Sequence, residues 1–119
     1  MTTSEIATVL AWHDALTTGD LDTLEQLSSD DIEVADADGA GQGHQALRRW
    51  AASAETTAGI GRMYVRGGVV VAELTPAGEG PARAVAFRVV HDHVTAVFRH
   101  DDLDAALTAT DLTEADRAD

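Results

Sequence analysis

From residue 62 to residue 100 the chain changes to a period of two. The segments RMYVR, VVVAELT, ARAVAFRVV and VTAVFRH read as strands, because successive side chains of a strand point to opposite faces. They are separated by Gly67-Gly68, by PAGEGP and by HDH. Connections that short join antiparallel neighbours, so these four segments are expected to form a meander. A sheet of this kind needs its apolar face covered, and the first sixty residues must supply the cover.

Those residues read mainly as helix. Ile6, Val9, Leu10, His13 and Leu16 or Thr17 recur at helical spacing over residues 3 to 17. Gly19 stands where a left-handed helix cap favours glycine, and Asp20 can cap a second short helix, LDTLEQLS. DIEVAD alternates as a strand. Gly39, Gly41 and Gly43 read as a loop, and HQALRRWAASAETT resumes helical periodicity through Ala46, Leu47 and Trp50. The resulting order is helix, helix, strand, helix and four antiparallel strands, which is an α+β domain over residues 1–108. An acidic tail, 109–119, is expected to fray beyond its first turns.

Composition narrows the chemistry. Eight Lys plus Arg, all of them Arg, face twenty-one Asp plus Glu, for a net charge of −13. Such a surface repels phosphate backbones and anionic lipid, so neither a nucleic acid nor a membrane is an expected partner. No Lys means no side-chain Schiff base, and no Cys means no thiolate nucleophile and no disulfide framework. The N-terminus lacks a basic segment ahead of an apolar one, so a cytoplasmic location is expected. The remaining catalytic side chains are Asp, Glu, His, Arg, Ser, Thr and the single Tyr64.

Several of these take defined positions. Ile32, Val34 and Asp36 share one strand face, which places a carboxylate at the end of an apolar stripe. Desolvation there raises a carboxyl pKa toward a useful value for proton transfer. In VTAVFRHDD, Val97, Arg99 and Asp101 share one face and Ala96, Phe98 and His100 the other; Asp101 also suits the cap of a closing helix. His13 follows Trp12 on the first helix and suits either a proton shuttle or a core histidine. His91 and His93 flank Asp92 in a hairpin turn, and no three-ligand spacing stands out, so no metal is expected. GAGQGHQ lacks the context of a dinucleotide fingerprint, and no cofactor is expected.

The helix order, ALTTGDLDTLEQLSSDDIEV near the start and VTAVFRHDDLDAAL at the end resemble the nuclear transport factor 2-like superfamily. Within it they are most similar to SnoaL-like polyketide cyclases and ketosteroid isomerases, over roughly residues 4 to 108. The resemblance implies a cone, also called cystatin-like: a curved, mostly antiparallel sheet with three helices packed on its concave side. It implies Asp36 as the general base beside a substrate carbonyl, and Asp101 as the second catalytic acid. It puts Trp12 where the isomerase carries a tyrosine and Val85 where it carries a second acid, a departure that speaks against steroid isomerase activity itself. Trp12, Tyr64, Val85, Phe87, Val97 and Arg99 are then expected to contact the substrate, with His13 as a further catalytic candidate. The implied function is cofactor-independent acid–base chemistry on a small hydrophobic, carbonyl-bearing or polycyclic molecule, by a homodimer. The same residues also fit a non-catalytic ligand-binding or dimerisation module, or epoxide opening by an acid–arginine–acid set.

Overall fold

The first helix, α1 (Thr2–Thr18), stops where Gly19 turns left-handed at φ 75°. The amide of Asp20 then reaches back to the carbonyl of Ala15 at 2.9 Å. Asp20 caps α2 (Leu21–Gln26), its carboxylate accepting from the Thr23 amide at 3.2 Å and from the Thr23 hydroxyl at 2.7 Å. Both boundaries are as expected, because cap chemistry is local. The computed structural model describes residues 2–36, 39–53, 59–75 and 83–118, and side chains at all of these except 2–4, 36 and 53. Asp38 and the expected turn PAGEGP lie outside the described residues.

After α2 come β1 (Ser28–Asp36), β2 (Gly39–Gln42) and α3 (His44–Ser53). β2 is a correction to the sequence reading, which made Gly39 and Gly41 a loop. It pairs antiparallel with β1, from Asp36 opposite Gly39 to Glu33 opposite Gln42. Glycine is required there for packing: a Cβ on Gly41 would lie 2.8 Å from the Cβ of Ala46 on α3. Four more strands follow, β3 (Gly59–Arg66), β4 (Val69–Thr75), β5 (Arg83–Val90) and β6 (His93–His100). They form the expected antiparallel meander, and β1 adds to β6 in parallel, giving the order β2-β1-β6-β5-β4-β3. The β5–β6 turn uses His91 and Asp92, both left-handed at φ 50° and 63°, as a two-residue hairpin demands.

Period two divides the sheet into two faces with separate cores. Met63, Val65, Val70, Ala72, Val85, Phe87, Val89 and Val97 face α1, α2 and α3, with Val9, Trp12, Leu24, Ile32, Val34, Leu47 and Trp50. Their sequence neighbours Tyr64, Val71, Ala84 and Ala86 face the other way, against Leu103 and Ala106 of a fourth helix, α4 (Leu103–Thr110). Three helices thus cover the concave face of the curved sheet, and α4 lies on the convex one. No helix among the described residues is long and apolar enough to cross a membrane.

The acidic tail does not fray. Asp102 caps α4, accepting from the Ala105 amide at 2.7 Å, and Asp111 closes it in a left-handed conformation at φ 61°. The reversal at Asp111 buries Leu112 against the convex core. A short 3-10 turn (Glu114–Asp116) follows, held by a capping box between Thr113 and Asp116. The Tyr64 hydroxyl donates to Glu114 Oε2 at 2.8 Å, and the Ala118 amide donates to the Met63 carbonyl at 2.9 Å. One apolar anchor and one buried phenol hold a segment whose composition alone suggests solvent.

That clasp is pH-sensitive with a definite sign. Tyr64 holds Glu114 below its ordinary 4.5, against partial desolvation. Burial first, and the Glu114 carboxylate second, push the Tyr64 phenol above 10.0. The Glu114 contribution is therefore present above pH 4.5 and lost as pH falls through the lowered value; the Tyr64 contribution is present below pH 10.0 and lost as pH rises through the raised one. Tyr64→Phe is expected to lower the melting temperature at pH 7, with the deficit shrinking as pH drops below 4.5. Melting curves across pH check this, and a deficit constant with pH would show that packing alone holds the tail.

Candidate active site

The concave face carries an aromatic cluster. The Trp12 ring meets Phe87 edge-on at 5.3 Å between centroids and Trp50 at 5.8 Å with a 48° tilt. α1 delivers Trp12 by the spacing that also buries Val9 and Leu16, α3 delivers Trp50, and β5 delivers Phe87 beside Val85. Val97 of β6 is fully buried in the same core. Arg99 follows on the same strand face, partly buried, with its guanidinium carbon 4.6 Å from the centre of the Trp50 ring. Trp12, Val85, Phe87, Val97 and Arg99 are thus brought together, and His13 sits partly buried beside Trp12 on α1.

The N–H of Trp12 is already committed. Nε1 donates to Ser28 Oγ at 2.9 Å, and Ser28 Oγ donates to the Leu24 carbonyl at 2.7 Å. This buried relay ties α1 to the α2–β1 junction and leaves the indole no donor for a developing oxyanion. Val85 supplies no donor either. Neither position of the isomerase's oxyanion pair is replaced in kind.

Tyr64 is on the other side of the sheet. It is fully buried in the convex core, and its hydroxyl is engaged by Glu114. This corrects the expectation that it contacts the same substrate as Trp12. Its register explains the placement: Tyr64 pairs with Val71 and Val71 with Ala86, whereas Val85 pairs with Ala72 and Ala72 with Met63.

The acids divide likewise. β6 ends at His100, so Asp101 lies beyond the strand and does not continue its alternation; it is exposed, and Asp102 takes the helix cap instead. Asp36 closes β1, its backbone opposite Gly39, and its side chain lies outside the described residues. The parallel pair of β1 and β6 runs Val34 with Val97 and Ala35 with Phe98. Asp36 and Arg99 are the next residues on the two strands.

Two further candidates escaped the sequence reading. Trp50 entered only as part of a helical repeat, although an aromatic residue on a helix that follows an acid-ended strand is a pocket candidate. Glu5 extends the Val9–Trp12 stripe of α1 by one turn, and its Oε2 is buried without a hydrogen bond from any described residue. Among the described residues no group of three His, Cys, Asp or Glu side chains is placed to hold a metal ion.

Comparison with solved structures finds the same architecture. A protein proposed to be a ketosteroid isomerase, from Kribbella flavida, superposes with a TM-score of 0.68 at 17% identity, covering 82% of this chain and 76% of that one. A proposed polyketide cyclase from Sinorhizobium meliloti gives 0.65 at 20% identity, over 79% of this chain and 94% of that one. TerC, crystallised with polyporic acid, gives 0.67 at 16% identity, over 86% and 94%. At these identities the likeness is one of fold. Among proteins of curated function none matches this chain in sequence. The family model for the SnoaL-like domain, however, matches residues 9–108, and the chain belongs to that family.

Proposed function

We propose that this SnoaL-like chain is a cofactor-independent cyclase- or isomerase-type enzyme, in which Asp36 is the general base that moves a proton beside a carbonyl of a small hydrophobic, polycyclic or carbonyl-bearing substrate. The observation that carries the reading is the course of β1. Ile32 and Val34 are buried in the concave core, and strand alternation makes Asp36 the next residue of their parity, one step past the β1–β6 pair that leads to Arg99. A carboxylate that continued such a stripe would be partly withdrawn from water and would gain basicity. The buried cluster of Trp12, Trp50 and Phe87 makes the core behind that strand face apolar, which supports a hydrophobic ligand. The neighbour crystallised with polyporic acid supports a carbonyl-bearing one.

The test is deuterium wash-in. A base acting beside a carbonyl should incorporate deuterium from D2O into a 1,3-dicarbonyl polyketide analogue faster than buffer does, even where no full turnover follows. A ligand that binds but gains no deuterium would leave the chain a non-catalytic binding module. That rival is favoured by one observation, the loss of both oxyanion donors at Trp12 and Val85. Epoxide opening is supported less, since Arg99 stacks on Trp50 and pairs with no described carboxylate.

In this reading the enzyme acts in the cytoplasm as a homodimer, with no nucleic-acid or membrane partner. α4 and the tail cover the convex face of β3, β4 and β5. Phe98 of β6 stays 36% exposed, between a groove of about 300 Å³ bordered by Val69, His100 and Thr110 and one of about 380 Å³ bordered by Glu33 and Thr95. A second copy covering that stripe would gain ~25 cal/mol per Å² of apolar area removed from water. Sedimentation should give a dimer at micromolar concentration and a monomer for Phe98→Glu. A wild-type monomer would end the claim.

A further inference from the structure

We infer that Arg99, stacked on Trp50, recognises a delocalised oxyanion, so that the ligand of the concave site carries an ionised carboxylate or enol on a planar, conjugated frame. This rests on the reading of the concave face as a ligand site and names the class of ligand it takes.

The arginines of this chain differ in how their charge is met. Arg48 pairs with Glu25 and Asp22, Arg62 with Glu73, Arg66 with Asp116 and Arg117 with Glu114. Arg49 and Arg88 are exposed to water. Arg99 is neither. It is partly buried, on the strand face that carries Val97 into the core, and it makes no ion pair or hydrogen bond with a described residue. In a chain with twenty-one acids, a partly buried guanidinium left without a described carboxylate is conspicuous. Its contact is the face of Trp50, which stabilises the cation but uses none of its five N–H donors.

The contact also leaves the donors over. A guanidinium held over an indole by its charge keeps the donor edge of its planar fork free for a ligand. That edge suits two oxygens sharing one charge, as in a carboxylate or an ionised 1,3-dicarbonyl, and charge-assisted bonds of this type are about twice as strong as neutral ones. The rest of the surface works against small anions, because a net charge of −13 repels them. The ligand must therefore add apolar contact to its charge, and on this face Trp50, which at 8% is the most exposed ring of the buried Trp12–Trp50–Phe87 cluster and lies under Arg99, is the aromatic edge within reach.

The test is a binding comparison by titration calorimetry on the full chain. The charged probes are 2-naphthoate for the carboxylate and the anion of 2-hydroxy-1,4-naphthoquinone for the ionised enol. Their neutral partners are 2-acetylnaphthalene and 1,4-naphthoquinone. Wild type is expected to bind at least one anion about tenfold more tightly than its neutral partner, with the preference falling as salt rises. Arg99→Gln should reduce that preference to near unity while leaving the neutral probe within about twofold. Arg99→Lys keeps the charge and loses the planar fork, so it should retain a weaker preference. Which anion binds separates the two ligand sources.

Equal binding of anion and neutral probe by wild type, a preference that survives Arg99→Gln, or one absent from a folded Arg99→Lys would each overturn the inference. Binding of neither probe by wild type would overturn it together with the ligand-site reading. A preference that depends on Arg99, with no deuterium wash-in, would uphold recognition and remove catalysis. A purely structural Arg99 would show as a lowered melting temperature with the anion preference intact.

Discussion

Trp12→Ala should destabilise the protein by about 3–5 kcal/mol, a large fraction of what a domain of this size possesses. The indole is 1% exposed and lies between Phe87 and Trp50, so truncation opens a cavity that two rigid rings cannot easily fill. It also removes the donor to Ser28, whose hydroxyl is buried. Ser28→Ala breaks the same relay with the indole in place, and also removes the hydroxyl's donation to the Leu24 carbonyl. It leaves the Trp12 N–H without its partner at the α2–β1 junction and should cost about 1–3 kcal/mol. Denaturant unfolding of both variants checks the sum, and a Trp12→Ala cost below about 1 kcal/mol would show that the cluster is loosely packed. The result bears on function as well. The residue that stands in place of the isomerase tyrosine is a core residue with its N–H spent, so any oxyanion formed here needs a different partner, and Arg99 is the cation nearest in role.

Legibility in the sequence followed the range of each interaction. Gly19 and Asp20 were readable because a cap depends on the few residues around it. The meander was readable because two-residue turns fix antiparallel pairing, and Val85, Phe87, Val97 and Arg99 share the concave face as alternation requires. Tyr64 was not readable in the same way. The Gly67-Gly68 turn sets Tyr64 opposite Val71, but which parity of that hairpin faces the helices depends on how β4 pairs with β5, and residues 76–82 between them carry no local signal for it. β2 was missed because its glycines have no strand propensity; the need is imposed by Ala46 from another element. The tail was misjudged because its charge suggests solvent, while one leucine and one phenol forty-eight and fifty residues apart from their partners, Tyr64 to Leu112 and to Glu114, hold it down. At the candidate site alternation assigns Asp36 the parity of Ile32 and Val34, an expectation about a side chain outside the described residues, whereas the Arg99–Trp50 contact joins a strand to a helix and leaves no pattern in the chain.

Asp36→Asn is expected to lower the rate of proton transfer by about 10²- to 10⁴-fold, the usual contribution of a positioned general base. Asparagine has nearly the same shape as aspartate but cannot accept a proton at neutral pH, so the substitution removes basicity while keeping volume. The deuterium wash-in assay reads the effect directly, without requiring the natural substrate. Its pH profile adds a second signature. A carboxylate base makes the wild-type rate fall as pH drops through its pKa, and the residual rate of the variant should lack that limb. Stability should hold or rise slightly, because a carboxylate at the end of an apolar stripe carries a desolvation cost that a neutral amide does not. Binding of the neutral naphthyl probe should be unaffected, which separates loss of chemistry from loss of the site. Asp101→Asn is the control: Asp101 is exposed beyond the end of β6, and its substitution should change the rate by no more than about twofold. If Asp36→Asn exchanges deuterium at the wild-type rate while Asp101→Asn does not, the base lies after β6 rather than at the end of β1. If neither variant differs from wild type, Glu5 becomes the carboxylate to replace next, since its buried oxygen already lies on the Trp12 stripe.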